Sequence, residues 1–439
     1  MDWHSQYRDR SVTADEAVKH ITSGDRVVVA HAVGEPMTLV RAMVANAEAY
    51  RDVEIVHLVP MGEAAYCQPG MEKHFRHNSL FAGGGTRQAI VEGRADFTPV
   101  FFHQIPDLLR GALPVDVALV NLSPPDEHGF CSFGVSVDYT KPAAESARIV
   151  IAQINPRVPR TLGQSFIHVS EIDVIVEVDE PLIELAPTKI RDVELSIGRN
   201  CASLVRDGDT LQLGIGSIPD AVLLSLGDKK DLGIHSEMLS DGVVALIESG
   251  VVNNKRKNFH PGRSVVTFLM GTQRLYDFAN DNASVEMASV DFVNDPRVIA
   301  QNDNMVSINS CVQVDLMGQV ASESVGLRQI SGVGGQVDFV RGASMSRGGR
   351  TIMAMPSTAQ RGTVSKIVSL LDEGAAITTS RCDVDYVVTE YGVAQLKGRT
   401  LRDRAKELIA IAHPDFRPAL LAELEQRFHE TSALMGDRA

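Results

Sequence analysis

One carboxylate stands in a setting suited to chemistry: Glu237, in the run Ser236-Glu237-Met238-Leu239-Ser240-Asp241-Gly242. The run follows LGIH (232–235), which reads as a strand, and α/β sheets gather their ligand-binding groups at the C-terminal ends of strands. A carboxylate there can attack an electrophilic carbonyl and hold it covalently. For an isolated acid in a loop, a solvated surface charge is the commoner state. Asp241 is a second acid nearby that need not converge on Glu237.

Two glycine-rich turns could supply the matching backbone donors. The first is Gly214-Ile215-Gly216-Ser217-Ile218-Pro219, which ends a strand and opens a helix. Gly214 and Gly216 let the backbone come close to a ligand, and a helix start offers unpaired N–H groups. Pro219 stands where a dinucleotide fingerprint needs its third glycine, so that reading fails. The second is Gly332-Val333-Gly334-Gly335-Gln336-Val337-Asp338-Phe339, where no Gly-Lys-Ser/Thr follows to make a P-loop. Closely spaced amides of this kind form anion nests or oxyanion holes. Each segment is also compatible with an ordinary turn or connecting loop. The proline- and acid-rich run Asn121–Gly134 lines a cleft if it is functional, although turn chemistry explains much of it. His74 and His77 are three apart on a plausible helix, but no third ligand has suitable spacing, so no metal site is expected. The basic run 253–263 reads as a solvated loop more readily than as a phosphate site.

Positioning such groups requires strands that end beside helix starts. Val- and Ile-rich runs recur at 26–30, 53–59, 115–123, 148–154 and 173–178, then at 210–215, 264–270, 375–380 and 385–390. Apolar residues on both faces mark buried parallel strands. Helical patterns at 37–50 and 220–226 alternate with them, which predicts open α/β sheets. The order also repeats. GDRVVVAHAVGEP (24–36) and GDTLQLGIGSIP (208–219) share Gly-Asp, a strand, a small-residue turn and a proline near a helix start. A second pair, 115–129 and 384–398, follows later in each half. Two related α/β domains are therefore expected, with the boundary near 178–194: residues 1–185 and 186–439.

The bulk composition sets limits. The 439 residues carry 42 Lys and Arg against 56 Asp and Glu, a net charge of −14, which disfavours sequence-independent nucleic-acid binding. Five cysteines without a C-x-x-C pair predict neither a disulfide framework nor a zinc site. The polar start MDWHSQYRDR lacks an apolar signal core, and no run is apolar for long enough to span a membrane. A cytoplasmic location is expected. The segment 415–434 predicts an amphipathic helix for core packing or a subunit contact.

Taken together, SPPDEHGFCSFG (123–134), GIGSIPDAV (214–222), GIHSEMLSDG (233–242), GVGGQVDFVRGA (332–343), YVVTEYGVAQLKG (386–398) and IAHPDFRPAL (411–420) resemble the acetyl-CoA hydrolase/transferase group of class I CoA-transferases. The likeness is greatest to the 4-hydroxybutyrate and butyrate types and extends over nearly the whole chain. It implies two tandem, structurally related open α/β domains with mainly parallel sheets, the second carrying the catalytic Glu237. It further implies an oxyanion hole from the amides of Ile215 and of Gly334 or Gly335. Gly214, Gly216, Ser217, Gly332 and Gln336 would contact substrate or CoA, and Asp338 would help shape the motif. The implied reaction moves CoA from acetyl-, butyryl- or succinyl-CoA to a small acid such as 4-hydroxybutyrate, butyrate or itaconate, through a glutamyl-CoA thioester. Acyl-CoA enters as substrate, with no tightly bound cofactor and no metal. The nucleophile is expected to be ionised already near neutral pH. A homodimer or higher homo-oligomer is expected. An acyl-CoA hydrolase is the near alternative, and a noncatalytic acyl-CoA-binding protein the remote one.

Overall fold

The computed structural model describes residues 2–429. Seven short strands build a first sheet: β1 (Arg26–Val29), β2 (Val53–His57), β3 (Phe75–Ser79), β4 (Ala95–Phe97), β5 (Val117–Leu122), β6 (Ile149–Ile154) and β7 (Val174–Glu177). They lie in the order β4-β3-β2-β1-β5-β6-β7, and every pairing is parallel. All six residues of β5 are buried, as a strand covered on both faces should be.

The second half repeats this order. Its strands are β8 (Thr210–Leu213), β9 (Gly233–Ile234), β10 (Ser264–Val266), β11 (Val285–Met287), β12 (Met305–Ser310), β13 (Arg350–Ala354) and β14 (Tyr386–Thr389), closed by β15 (Gly392–Gln395). The sheet runs β9-β8-β12-β13-β14-β15, and only β15 is antiparallel. A parallel bridge from His235 to Val265 joins β9 to β10, and β10 pairs with β11. The resulting succession β11-β10-β9-β8-β12-β13-β14 matches the first sheet position for position.

That match corrects the second repeat pair. By place in the sheet, β5 corresponds to β12 and β14 to β7, so 115–129 and 384–398 are not equivalents. Strand β12 lacks the apolar signature of its neighbours because it is partly polar. Its Ser307 and Asn309 donate to Gln212 Oε1 of the neighbouring β8 at 2.8 and 3.1 Å. Residues 375–380 form no strand, and the expected strand 264–270 breaks at Thr267 into Ser264–Val266 and Phe268–Leu269. His77 lies on a strand, not a helix, and its Nδ1 meets the Ile55 carbonyl at 3.0 Å. Of the expected C-terminal helix, Arg417–Phe428 is present, and residues 430–434 lie outside the described residues.

Three helices matter for the site: α1 (Ser217–Leu224) after β8, α2 (Asp241–Glu248) after the Glu237 run, and α3 (Gln336–Met345) after the second glycine loop. One hydrophobic cluster runs through both halves, from Val120 and Phe133 to Leu213, Met238 and Phe268. The halves therefore share a core where the C-terminal ends of their strands approach each other. No helix among the described residues is long and apolar enough to cross a membrane.

Candidate active site

Glu237 sits where its strand is interrupted, between Gly233–Ile234 and the short continuation Met238–Leu239. The Glu237 carbonyl accepts from two successive amides, Thr267 N at 3.0 Å and Phe268 N at 3.2 Å. Two residues facing one is the signature of a bulge, which re-aims a side chain while the ladder continues. The pairing resumes at once, with Met238 beside Phe268 and Leu239 beside Leu269. The nucleophile candidate is thus held by backbone on both sides.

The side chain faces a cavity of about 410 Å³. Gly214, Ile215, Gly332, Gly334, Gly335 and Gln336 all line that cavity with it, as does Phe81 from the first half. Gly216 instead opens onto a separate cavity of about 390 Å³ beside residues 185–190, which Gly214 does not line and Ile215 does. Ser217, the first residue of α1, lines neither. Gly216 caps α1 at a φ of 109°, a backbone region that favours glycine. Gly335 caps α3, and a Cβ built there would lie 1.7 Å from Glu237 Oε2. The carboxylate oxygen occupies the space a side chain would fill. The Gly335 backbone lies close enough to the Glu237 carboxylate to favour its charged form. Gln336 Nε2 donates to Ser322 Oγ at 2.9 Å and Thr379 Oγ1 at 3.0 Å, which fixes the start of α3.

Asn294 completes the surroundings. Its Nδ2 donates to Glu237 Oε2 at 3.0 Å and approaches Asp338 Oδ2 at 3.5 Å. Asp338 is buried on α3 and accepts from the His103 backbone N at 3.1 Å, with His103 Nδ1 2.7 Å from its other oxygen. Burial pushes the Glu237 carboxyl up to about 8; the Asp338 and Asp138 carboxylates add to that, while the Asn294 donor and the Gly335 backbone oppose it. The expectation of a glutamate fully ionised at neutral pH is therefore corrected. Raising a carboxylate's basicity also raises its nucleophilicity, so the ionised fraction attacks harder. Burial likewise raises Asp338 against the pull of His103.

Several sequence candidates resolve into structure. Asp241 turns away from Glu237 and accepts from Thr272 N and Oγ1 at 2.8 and 2.7 Å. In the basic run, Lys257 is buried, and its Nζ donates to the carbonyls of Ile234 and Arg263 at 2.8 and 2.7 Å. Burial lowers its pKa to about 7, so it props the end of β9 and does not meet phosphate. In the Asn121–Gly134 run, Asp126 accepts from His128 N and Phe130 N, a turn closing on itself. No His, Cys, Asp and Glu group among the described residues has metal-binding geometry.

Residues 1–187 match the acetyl-CoA hydrolase/transferase N-terminal domain and residues 271–424 the C-terminal domain of the same name. The chain belongs to the acetyl-CoA hydrolase/transferase family. Within the family it is 64% identical over 429 residues to the 4-hydroxybutyrate coenzyme A transferase of Clostridium kluyveri, covering 98% of this chain and 100% of that one. It is 48% identical to a succinyl-CoA:cyclohexane-1-carboxylate CoA transferase of Geobacter metallireducens, covering 95% of each chain. Among solved structures, a 4-hydroxybutyrate CoA-transferase from Porphyromonas gingivalis superimposes with a TM-score of 0.85 at 47% identity, covering 97% of this chain and 100% of that one. RipA from Yersinia pestis superimposes at 0.93 and 40% identity, covering 98% and 100%. The parallel α/β architecture is that of class I CoA-transferases. This family member holds Asn294 and His103 at its site, and neither was visible as a candidate in the sequence. Their neighbours VNDPR and FFHQIP form no recognisable motif.

Proposed function

We propose that Glu237 is the covalent relay of this chain's reaction. The chain is a CoA-transferase acting on short-chain acyl-CoA, and its relatives' substrates make 4-hydroxybutyrate the foremost acceptor. The single observation that carries the reading is a high-pKa carboxylate in a cavity, ringed by the backbone of Gly214–Ile215 and Gly332–Gly335.

In the first step a Glu237 carboxylate oxygen attacks the thioester carbonyl. The tetrahedral oxyanion collapses, the C–S bond breaks, and the electron pair leaves on the CoA thiolate. The thiolate then attacks the glutamyl carbonyl of the mixed anhydride, releasing the donor acid as its carboxylate. The acceptor carboxylate reverses these steps from the glutamyl-CoA thioester. Each tetrahedral stage carries negative oxygen, and preorganised amides stabilise it best. We assign that work to the amides of Ile215 and of Gly334 or Gly335, with Gly214, Gly332 and Gln336 shaping the walls. Gly216 and Ser217, outside the cavity, are assigned to the approach of CoA.

The domain division 1–185 and 186–439 belongs to the same proposal and is supported by the repeated strand order. So does self-association into a homodimer or higher homo-oligomer, supported by the exposed Leu327, Leu370 and Ile377. A cytoplasmic location agrees with five free thiols. The test is to incubate the protein with acyl-CoA alone, digest it, and seek CoA mass on the peptide containing Glu237. Adding 4-hydroxybutyrate should discharge the adduct to the new acyl-CoA. An adduct on another residue, or sequential kinetics without any adduct, overturns the relay.

A further inference from the structure

We propose that His103 is a positioning residue for Glu237, acting across the seam between the two halves through Asp338 and Asn294. The inference rests on the reading of Glu237 as nucleophile.

Three successive residues of the first half dock on the start of the second half's α3. The Arg341 guanidinium lies over the Phe101 ring, 4.9 Å from its centroid. The Phe102 N–H donates to the Gly334 carbonyl at 3.3 Å, touching the glycine loop itself. His103 grips Asp338 at two points, its backbone N on one carboxylate oxygen and Nδ1 on the other. The same turn, Phe102–Gln104, packs against Val290–Val293, the helical turn that ends at Asn294. His103 therefore braces both the carboxylate and the chain that presents the amide.

The chemical argument concerns which end of the Asn294 amide faces the nucleophile. Its NH2 group has two hydrogens and lies between two carboxylates, Glu237 Oε2 and Asp338 Oδ2. Its Oδ1 is buried and has no hydrogen-bond partner among the described residues. Among the described residues, the two acceptors of the NH2 group are therefore what decides the orientation. If Asp338 swings away, one hydrogen loses its acceptor and the amide can rotate, presenting oxygen to oxygen at Glu237. Among the described residues, the one further side-chain partner that fixes the rotation of Asp338 is His103. Removing the imidazole thus loosens Asp338, then Asn294, then the aim of the nucleophile. Misplacement of about 1 Å at a reacting group costs on the order of 10²-fold.

The experiment compares wild type, His103→Ala and His103→Asn by steady-state kinetics, thermal melting and the rate of CoA-adduct formation on Glu237. Asparagine places Nδ2–H at the same distance along the side chain as Nδ1, so it restores a donor to Asp338 without the ring. The expected result for His103→Ala is a kcat lower by about 10- to 100-fold with KM for acyl-CoA within about two-fold. The adduct should still form on Glu237, slowed by the same factor, and His103→Asn should recover most of the loss. A wild-type kcat in His103→Ala overturns the proposal. So does a loss in both variants that tracks a falling melting temperature, because that marks a purely structural role. Absence of the adduct from wild type overturns the relay reading itself, whereas an adduct in wild type with unchanged variants overturns only the role of His103.

Discussion

Replacing Glu237 by glutamine should abolish transfer and stabilise the protein together, and the stabilisation should depend on pH. The side chain keeps its shape, Oε1 of the amide can still accept from Asn294, and the ionisable proton is gone. Folding raises the Glu237 carboxyl from 4.5 to about 8. A carboxyl that holds its proton more tightly folded than unfolded stabilises the fold fully below pH 4.5, and this contribution is lost as pH rises through 8. At about 1.4 kcal/mol per pH unit, wild type would forfeit on the order of 3 kcal/mol by pH 7. The cavity-facing side chain retains some hydration, so about 1–3 kcal/mol is the reasonable scale. For a chain of this length, with an unfolding entropy of about 2 cal/mol/K per residue, that becomes a melting-temperature gap of roughly 1–3 °C. Melting both proteins across about pH 5 to 9 should show the gap widening toward alkaline pH, with glutamine the more stable. A constant gap, a gap that closes as pH rises, or transfer activity in the variant would refute the reasoning.

The kcat/KM profile should fall tenfold per pH unit below about 8, because only the ionised Glu237 attacks; a profile flat from mildly acidic to alkaline pH contradicts the raised carboxyl. Gly335→Ala should lower kcat by about 10²-fold or more while the protein melts normally, since the new Cβ would sit 1.7 Å from Glu237 Oε2 and 2.5 Å from Asn294 Nδ2; unchanged turnover would deny the close approach. Arg350→Met should cost about 3–5 kcal/mol in denaturant unfolding, because it leaves Asp209 as an unpaired buried charge. Adding Asp209→Asn should recover part of that loss, and a neutral single variant would show the pair to be dispensable.

Parallel strands with apolar faces, such as β1, β5, β6 and β8, were legible because both faces of each are buried and their composition says so. Strand β12 was not, since its inward Ser307 and Asn309 are satisfied by Gln212, a residue distant in sequence. The bulge at Thr267 was equally hidden, because SVVTFLM is uniformly strand-like and only the pairing with Glu237 breaks it. At the site, Glu237 and the two glycine turns stood out as local motifs. Asn294 and His103 carry no local mark. Asn294 reaches Glu237 across 57 residues and His103 reaches Asp338 across 235, so only the folded topology brings them together. The ionisation of Glu237 is illegible in the sequence for the same reason: burial and neighbouring carboxylates are properties of the fold.

The missing Cβ at Gly335 also bears on how related chains are to be sorted. The nucleophile's oxygen lies in the volume that any other residue would claim. A chain could therefore keep the whole Ser-Glu-Met-Leu-Ser-Asp-Gly run and still be silenced by one substitution nearly a hundred positions downstream. Such a chain would retain the cavity walls and the fold, and could persist as a binder of acyl-CoA. A search keyed to the glutamate would count it as an enzyme. Requiring glycine at the position of Gly335 as well turns two separate short motifs into one joint criterion for transfer, read from sequence without a structure.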